Sequence, residues 1–187
     1  MFPSKIVKKQ KLSKQKGFTL VEVGIVVAIA AVIIGLGLVV VPSILSSNKA
    51  NAEVSLIPAA VSKIQKAFSN QNDFSSATTA MVTKLNAFPN EQVNQTNGTI
   101  TNRWNGAVNV LPTNLHGTDN DGAAITSANI PSAECVAIVQ GVERTVARIT
   151  VGTTVVKAVG DAAADPTAVG TACNAASTAT IEYAFSK

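Results

Sequence analysis

Three patterns of hydrophobic and polar positions follow one another along this 187-residue chain. From Val23 to Val41, nineteen consecutive residues carry no charged or strongly polar side chain. As a helix, a run of that length is enough to cross a hydrocarbon core of roughly 30 Å. From Ser43 to about Asn70 the pattern turns amphipathic. Ser47, Ala50, Val54, Ile57, Val61, Ile64 and Phe68 recur at steps of three and four, while Lys49, Glu53, Lys63 and Lys66 lie off that stripe. One long helix is therefore expected to change along its length from an apolar rod to an element that lays one face on a globular domain. Gly35, Gly37 and Pro42 mark a soft stretch near the change. Pro42 cannot donate to the Leu38 carbonyl, and each glycine lowers helix propensity by about 1 kcal/mol. Pro58 likewise removes the bond to Val54 and predicts a bend.

The third pattern, from about residue 71 onward, is poor in charge and rich in Ala, Thr, Asn, Gly and Val. Ser75 to Phe88 reads as a short helix with Ala77, Met81, Lys84, Leu85 and Phe88 near one face, closed by Phe88-Pro89-Asn90. Asn94 to Asn102 and Gly117 to Ala128 read as exposed loops. Ala107 to Leu111, Arg144 to Val151, Thr153 to Val159 and Thr180 to Phe185 have the β-rich alternation of half-buried antiparallel strands. Ser132 to Gln140 reads as a helix, with Ser132 as N-cap and Glu134 in the first turn. The expected fold class is α+β, a long N-terminal helix packed on a small antiparallel β-sheet.

Charge changes the picture at the N-terminus. Lys5, Lys8, Lys9, Lys11, Lys14 and Lys16 precede Gly17 with no acid among them. By the positive-inside rule they place the N-terminus in the cytoplasm and everything after about residue 45 outside. Without these six, nine Lys and Arg face eleven Asp and Glu, and the formal charge goes from +4 to −2. The basic character thus belongs to a targeting segment, and no specific nucleic-acid partner is expected, because phosphate binding needs clustered cations on the working domain. Between the lysines and the apolar run stands one acid, Glu22. An ionisable group in a membrane helix costs a few kcal/mol and is by default a functional candidate that needs a partner. Beyond it, Gly24, Ala28, Ala31 and Gly35 share one helix face, where a neighbouring backbone could approach closely.

Gly17-Phe18-Thr19-Leu20-Val21-Glu22, followed by the continuous apolar run, resembles the class III signal of type IV prepilins and related pseudopilins. The resemblance implies that a membrane prepilin peptidase cuts between Gly17 and Phe18 and methylates the new amine of Phe18. The mature chain would have 170 residues. It further implies that Glu22 pairs with the Phe18 amine of a neighbouring subunit and so sets the stagger between helices. The implied divisions are a cleaved leader, 1–17, a transmembrane and polymerisation helix, 18–45, and a globular head, 46–187. The implied partners are other copies of the chain in a helical homopolymer, the peptidase/methyltransferase, an assembly platform, an assembly ATPase, an outer-membrane secretin, and the inner membrane before assembly. No cofactor is implied.

Cys135 and Cys173 fall in the part expected to lie outside, where disulfides persist. A bridge between them closes a loop long enough for about 4 kcal/mol in the loop-entropy model. Zinc, the alternative, lacks further thiols or a nearby histidine. A disulfide loop that begins at Ala133-Glu134-Cys135-Val136 and ends at Thr171-Ala172-Cys173, before Thr180-Ile181-Glu182-Tyr183, is similar to that of type IVb pilins. That group comprises the bundle-forming, toxin-coregulated and conjugative thin pili. Ser47-Asn48-Lys49 and the segment Ile100 to Val110 also look like stretches of that group. Phe18 is instead typical of type IVa, and the 17-residue leader lies between the two classes.

Other tempting residues carry little. His116 stands alone in a polar loop with no partner for acid-base work. Asp119-Asn120-Asp121-Gly122 has the carboxylates of a calcium turn but not the distal glutamate, and reads as a polar turn. Trp104 reads as a core or strand-face residue. No nucleophile, base and oxyanion donors assemble, so no enzyme is expected, and no metal site. The implied function is that of a structural subunit, the major pilin, of an extracellular type IV pilus serving adhesion, aggregation, motility or conjugative contact. The alternatives are the major pseudopilin of a type II secretion system, a minor pilin, and a single-pass anchored domain that never polymerises.

Overall fold

The computed structural model describes residues 17–187, apart from the side chains of Leu36 to Ser43. The lysines of the leader lie outside the described residues. The chain divides into two compact units, one ending at Ser43 and one running from Ile44 to Lys187. Helix α1, Leu20–Phe68, contributes to both. Its backbone is helical at Gly35, Gly37, Pro42 and Pro58, where the sequence predicted weakness.

In the second unit the amphipathic stripe of α1 forms one wall of the core. Ala50, Ile57, Ala60, Val61, Ile64 and Phe68 are buried, whereas Ser47 is exposed. Glu53, expected off the stripe, is buried as well. The opposite wall is a seven-stranded sheet made of β1 (Val93–Asn94), β2 (Thr99–Thr101), β3 (Ala107–Thr113), β4 (Gly122–Pro131), β5 (Arg148–Val151), β6 (Thr154–Lys157) and β7 (Thr178–Ser186). Its order is β1-β2-β3-β4-β7-β5-β6, and every pair is antiparallel. The last strand of the chain is thus inserted in the middle. It brings Tyr183 and Phe185 beside Ile125 of β4 and Ile149 of β5. Phe74 stacks on Phe68 at 5.3 Å and meets Phe185 edge-on at 6.1 Å, closing one end of the core.

Three short helices complete the head: α2 (Thr79–Lys84), α3 (Ser132–Val142) and α4 (Pro166–Cys173). The predicted helix Ser75–Phe88 shrinks to α2, because Thr78 caps it through the Met81 amide and Asn86, at φ 49°, ends it. Its buried residues are Val82 and Thr83, and the predicted face fails at Met81 and Lys84, which are exposed. Ser132 is the first helical residue of α3 rather than its cap; Pro131 takes the cap position and the Ser132 amide donates to Ser177 O. Lys157, nearly fully buried, donates to the Glu143 and Val146 carbonyls at 2.5 and 2.6 Å, satisfying backbone acceptors just beyond α3. Against α1, α3 presents Gly141, where a Cβ would lie 2.5 Å from Val54.

Other segments depart from expectation as well. Asn94 to Asn102 holds most of a small hairpin, β1 with β2, in place of a loop. Gly117 to Ala128 contains most of β4, which is central and buried on both faces, so its Gly-Ala-Ala-Ile start shows no alternation. α4 was not anticipated, although Asp165 caps it through the Thr167 and Ala168 amides ahead of Pro166, the usual start signal. Strand β5 begins at Arg148, four residues after the predicted Arg144, because Lys157 holds the segment that follows α3.

Candidate functional site

The N-terminal unit builds its site from one helix start. The Thr19 hydroxyl accepts from the Glu22 amide at 3.2 Å, and the Thr19 carbonyl accepts from Glu22 and Val23 at 3.1 and 3.2 Å. Thr19-Leu20-Val21-Glu22 thereby supplies the cap half of a capping box, which reasoning from the apolar run alone overlooked. Glu22 sits in the first turn, where the helix dipole favours an anion. Phe18 and Glu22 line the same hollow, with Val23, Val26 and Val27. A Cβ placed on Gly17 would meet nothing within 4 Å and its φ is not positive, so no described part of the chain requires glycine there.

Along α1 beyond this start, apolar side chains are exposed on every face, from Leu20 at 90% to Val23 at 49% and Ile34 at 63%. Cβ atoms added to Gly24 or Gly35 would find open space, so the small-residue face has no partner among the described residues. Such an all-round apolar surface is stable only when lipid or other helices cover it. Among the described residues no helix is long and apolar enough to cross a membrane. The described side chains of the apolar run end at Gly35, and those of Gly37 and Pro42 lie outside the described residues.

In the head, Cys135 on α3 and Cys173 at the end of α4 form a disulfide, both fully buried, with Cα atoms 5.6 Å apart. It ties the two helices to each other before the chain returns as β7. The Ser46 hydroxyl donates to Glu134, the acid in the first turn of α3. His116 is exposed and lies 3.5 Å from Asp121. The Asp121 carboxylate is occupied by the Leu115 and His116 amides at 2.6 and 2.7 Å, and the Leu115 amide chiefly holds it below the usual carboxylate range. Asp119 accepts from Asn114. This turn therefore uses its own carboxylates, and no metal-binding group of His, Cys, Asp or Glu occurs among the described residues. Trp104 is half-buried against the core.

Glu53 is the residue whose environment sequence reasoning missed. It is 1% exposed, under the sheet; its Oε2 and the hydroxyl of Tyr183, close enough to interact with it electrostatically, have no hydrogen-bond partner among the described residues. Burial pushes its pKa from an ordinary 4.5 up to about 7, opposed by the Arg103 charge and a Ser127 hydrogen bond. Ser127 is in turn held by the Asn102 amide at 2.9 Å. Burial, and then the Glu53 charge, push the Tyr183 hydroxyl far up. The signal was present, since Glu53 stands three residues after Ala50 and four before Ile57, on the buried stripe itself.

Residues 47–186 match the family described as PilS N terminal, and residues 12–38 match the prokaryotic N-terminal methylation motif. The major structural subunit of bundle-forming pilus from Escherichia coli O127:H6 (strain E2348/69 / EPEC) is 29% identical over 135 residues, 72% of this chain and 67% of that protein. The same protein of Escherichia coli O111:H- matches equally. The fold is that of a type IVb pilin from Salmonella typhi, with a TM-score of 0.55, 19% identity, and coverage of 73% of this chain and 99% of that one. It is also that of TcpA, a type IV pilin from Vibrio cholerae El Tor biotype, with a TM-score of 0.51, 17% identity, and coverage of 76% and 99%.

Proposed function

Belonging to the PilS family, this chain is a structural subunit of a type IV pilus of the IVb group, and we propose that it is the major subunit, matured by cleavage between Gly17 and Phe18. The observation that carries this reading is the helix Leu20 to Gly35, apolar and exposed on all faces, which begins at a capped turn holding a single carboxylate. Copies of the same helix cover that surface in the filament, and the methylated amine of Phe18 meets Glu22 of a neighbouring copy. The pairing offsets the cost of burying either charge and fixes the stagger between subunits. Before assembly, the run Val23 to Val41 holds the precursor in the inner membrane, with the leader 1–17 inside and the head 46–187 outside. Gly35, Gly37 and Pro42 let the helix extend as subunits pack. An assembly platform, an ATPase and a secretin carry the filament out, and the extracellular fibre serves adhesion, aggregation, motility or conjugative contact. The chain is structural rather than enzymatic.

The test is intact mass and N-terminal sequencing of material sheared from the cell surface. A 170-residue chain starting at N-methylated Phe18, with one disulfide, is expected. A chain that still carries Met1 to Gly17, or its absence from the sheared fraction, refutes the reading.

A further inference from the structure

One arginine stands between a buried acid and an exposed one. Glu53 of α1 is buried under the sheet, and the groups that face its carboxyl are Arg103 from the segment after β2, Ser127 of β4 and Tyr183 of β7. On its own helix the charge one turn away is Lys49, which is exposed. Helix α3 meets α1 through Gly141 at Val54, and its acids are engaged elsewhere, Glu134 by Ser46 and Glu143 by the Ala164 amide at 2.9 Å. Arg103 spans the boundary between this cluster and the surface. Its Nε is buried and has no hydrogen-bond partner among the described residues, yet its side chain also lines a surface hollow with Lys49 and with Glu91 of a short 3-10 turn, Asn90–Gln92. Glu91 is exposed. The ion pairs among the described residues are His116 with Asp121 and Arg148 with Glu182, so Arg103 is paired with neither acid.

The backbone that carries Arg103 is fixed. Asn102 accepts from the Trp104 and Gly106 amides at 3.0 and 2.8 Å and donates to Ser127 Oγ and Ala128 O at 2.9 and 2.5 Å, and a Cβ on Gly106 would overlap Ala128 O. Freedom is left to the side chain alone. An arginine is always charged, so the acids around it set where it points. Burial keeps the Glu53 carboxyl protonated up to about pH 7, and a neutral acid exerts little pull on a guanidinium. Among the residues lining the hollow, Glu91 is then the one full negative charge. Above that pH the buried carboxylate needs a countercharge, because an unpaired ion in the interior is costly. Arg103 is the cation that faces it. We propose that Glu53 and Arg103 form a proton-operated switch in the head: with Glu53 neutral, Arg103 lies outward beside Glu91, and with Glu53 ionised it turns inward onto the carboxylate. Turning inward removes one positive charge from the surface around Lys49 and Glu91, so acidity sets the charge that this part of the head presents.

The switch lies within the head and needs no filament, so it is tested on the mature full-length chain in detergent. Isotope-labelled chain is followed by carbon-detected NMR from about pH 5 to 9. The chain has three arginines, and Arg103→Lys assigns the Nε and Cζ resonances of Arg103. Those resonances are expected to move in a single one-proton transition centred near pH 7, together with the fluorescence of Trp104, the only tryptophan. Glu53→Gln should abolish the transition, whereas His116→Gln, which removes the only histidine, should leave it in place. Glu91→Gln takes away the outward partner. It should lower the midpoint and change the acid limit of the Arg103 resonances while their alkaline limit stays as in wild type. Glu91 is exposed, so this variant keeps the test valid even where the Glu53 variant folds poorly. Arg103 resonances that do not move with pH, a transition that survives Glu53→Gln or vanishes in His116→Gln, or an acid limit unaltered in Glu91→Gln overturns the proposal.

Discussion

The two units of this chain solve opposite physical problems. The head, from Ile44, buries its apolar side chains between α1 and the sheet and closes its C-terminal region with a covalent bond. The helix from Leu20 to Gly35 has apolar side chains of the same kinds and buries none of them. One unit is a folded domain in its own right. The other is an unfinished interface, whose stability depends on what covers it. The contrast teaches that mutations in the two units should separate cleanly, in assembly for one and in domain stability for the other.

The sharpest break comes at Gly17. Gly17→Trp should abolish processing and filaments altogether while the head melts as in wild type; mass spectrometry of membrane fractions reads the first, and thermal unfolding of detergent-solubilised chain the second. Efficient cleavage of this variant would remove the assigned site. Glu22→Ala is expected to be cleaved normally yet to yield at least tenfold fewer filaments, counted by shearing and sedimentation. Wild-type filament yields would show that Glu22 does not set the register.

In the head the effects are on stability. Replacing Cys135 and Cys173 together with serine should destabilise it by about 4 kcal/mol or somewhat less, from the loop they close. Denaturant titration of the mature chain under oxidising conditions checks this, and an unchanged midpoint would mean the disulfide adds nothing. The smaller effect is at Glu53. Its carboxyl is raised in the folded head to about 7 from an ordinary 4.5, so the fold holds its proton more tightly than the unfolded chain. The stabilisation from this group is complete below about pH 4.5 and is lost as pH rises through 7, about 3 kcal/mol at most. Glu53→Gln should flatten that decline between pH 4.5 and 7. An unaltered pH profile would place the titration elsewhere.

What could be read in the sequence followed the same division. The N-terminal unit is local: Gly17, Phe18, Glu22 and the uninterrupted apolar run declare a helix start and an uncovered surface without reference to distant residues. Strand β3 was legible because one of its faces meets water, which preserves alternation, and β7 because Ile181, Tyr183 and Phe185 alternate with Glu182 and the small Ala184, even though its second half is buried on both faces. The long central strand β4 was not, because neighbours on both sides and burial on both faces erase that alternation, and alanine has little β preference. Glu53 illustrates the limit most clearly. Its spacing put it on the buried stripe, but whether a carboxylate can stay there depends on Arg103, Ser127 and Tyr183, which arrive from other strands and loops. The buried Lys157 was hidden for the same reason, since its acceptors, the carbonyls of Glu143 and Val146, come from the segment after α3.

The central claim is that the uncovered helix is completed by copies of itself. A helical reconstruction of sheared filaments by electron cryomicroscopy tests it most directly. The account predicts that residues 18–35 of adjacent subunits pack against one another, with the Glu22 carboxylate within about 4 Å of a neighbour's Phe18 amine, the distance of an ion pair. Filaments in which those residues face away from other subunits, or in which Glu22 meets only the amine of its own chain, would contradict it.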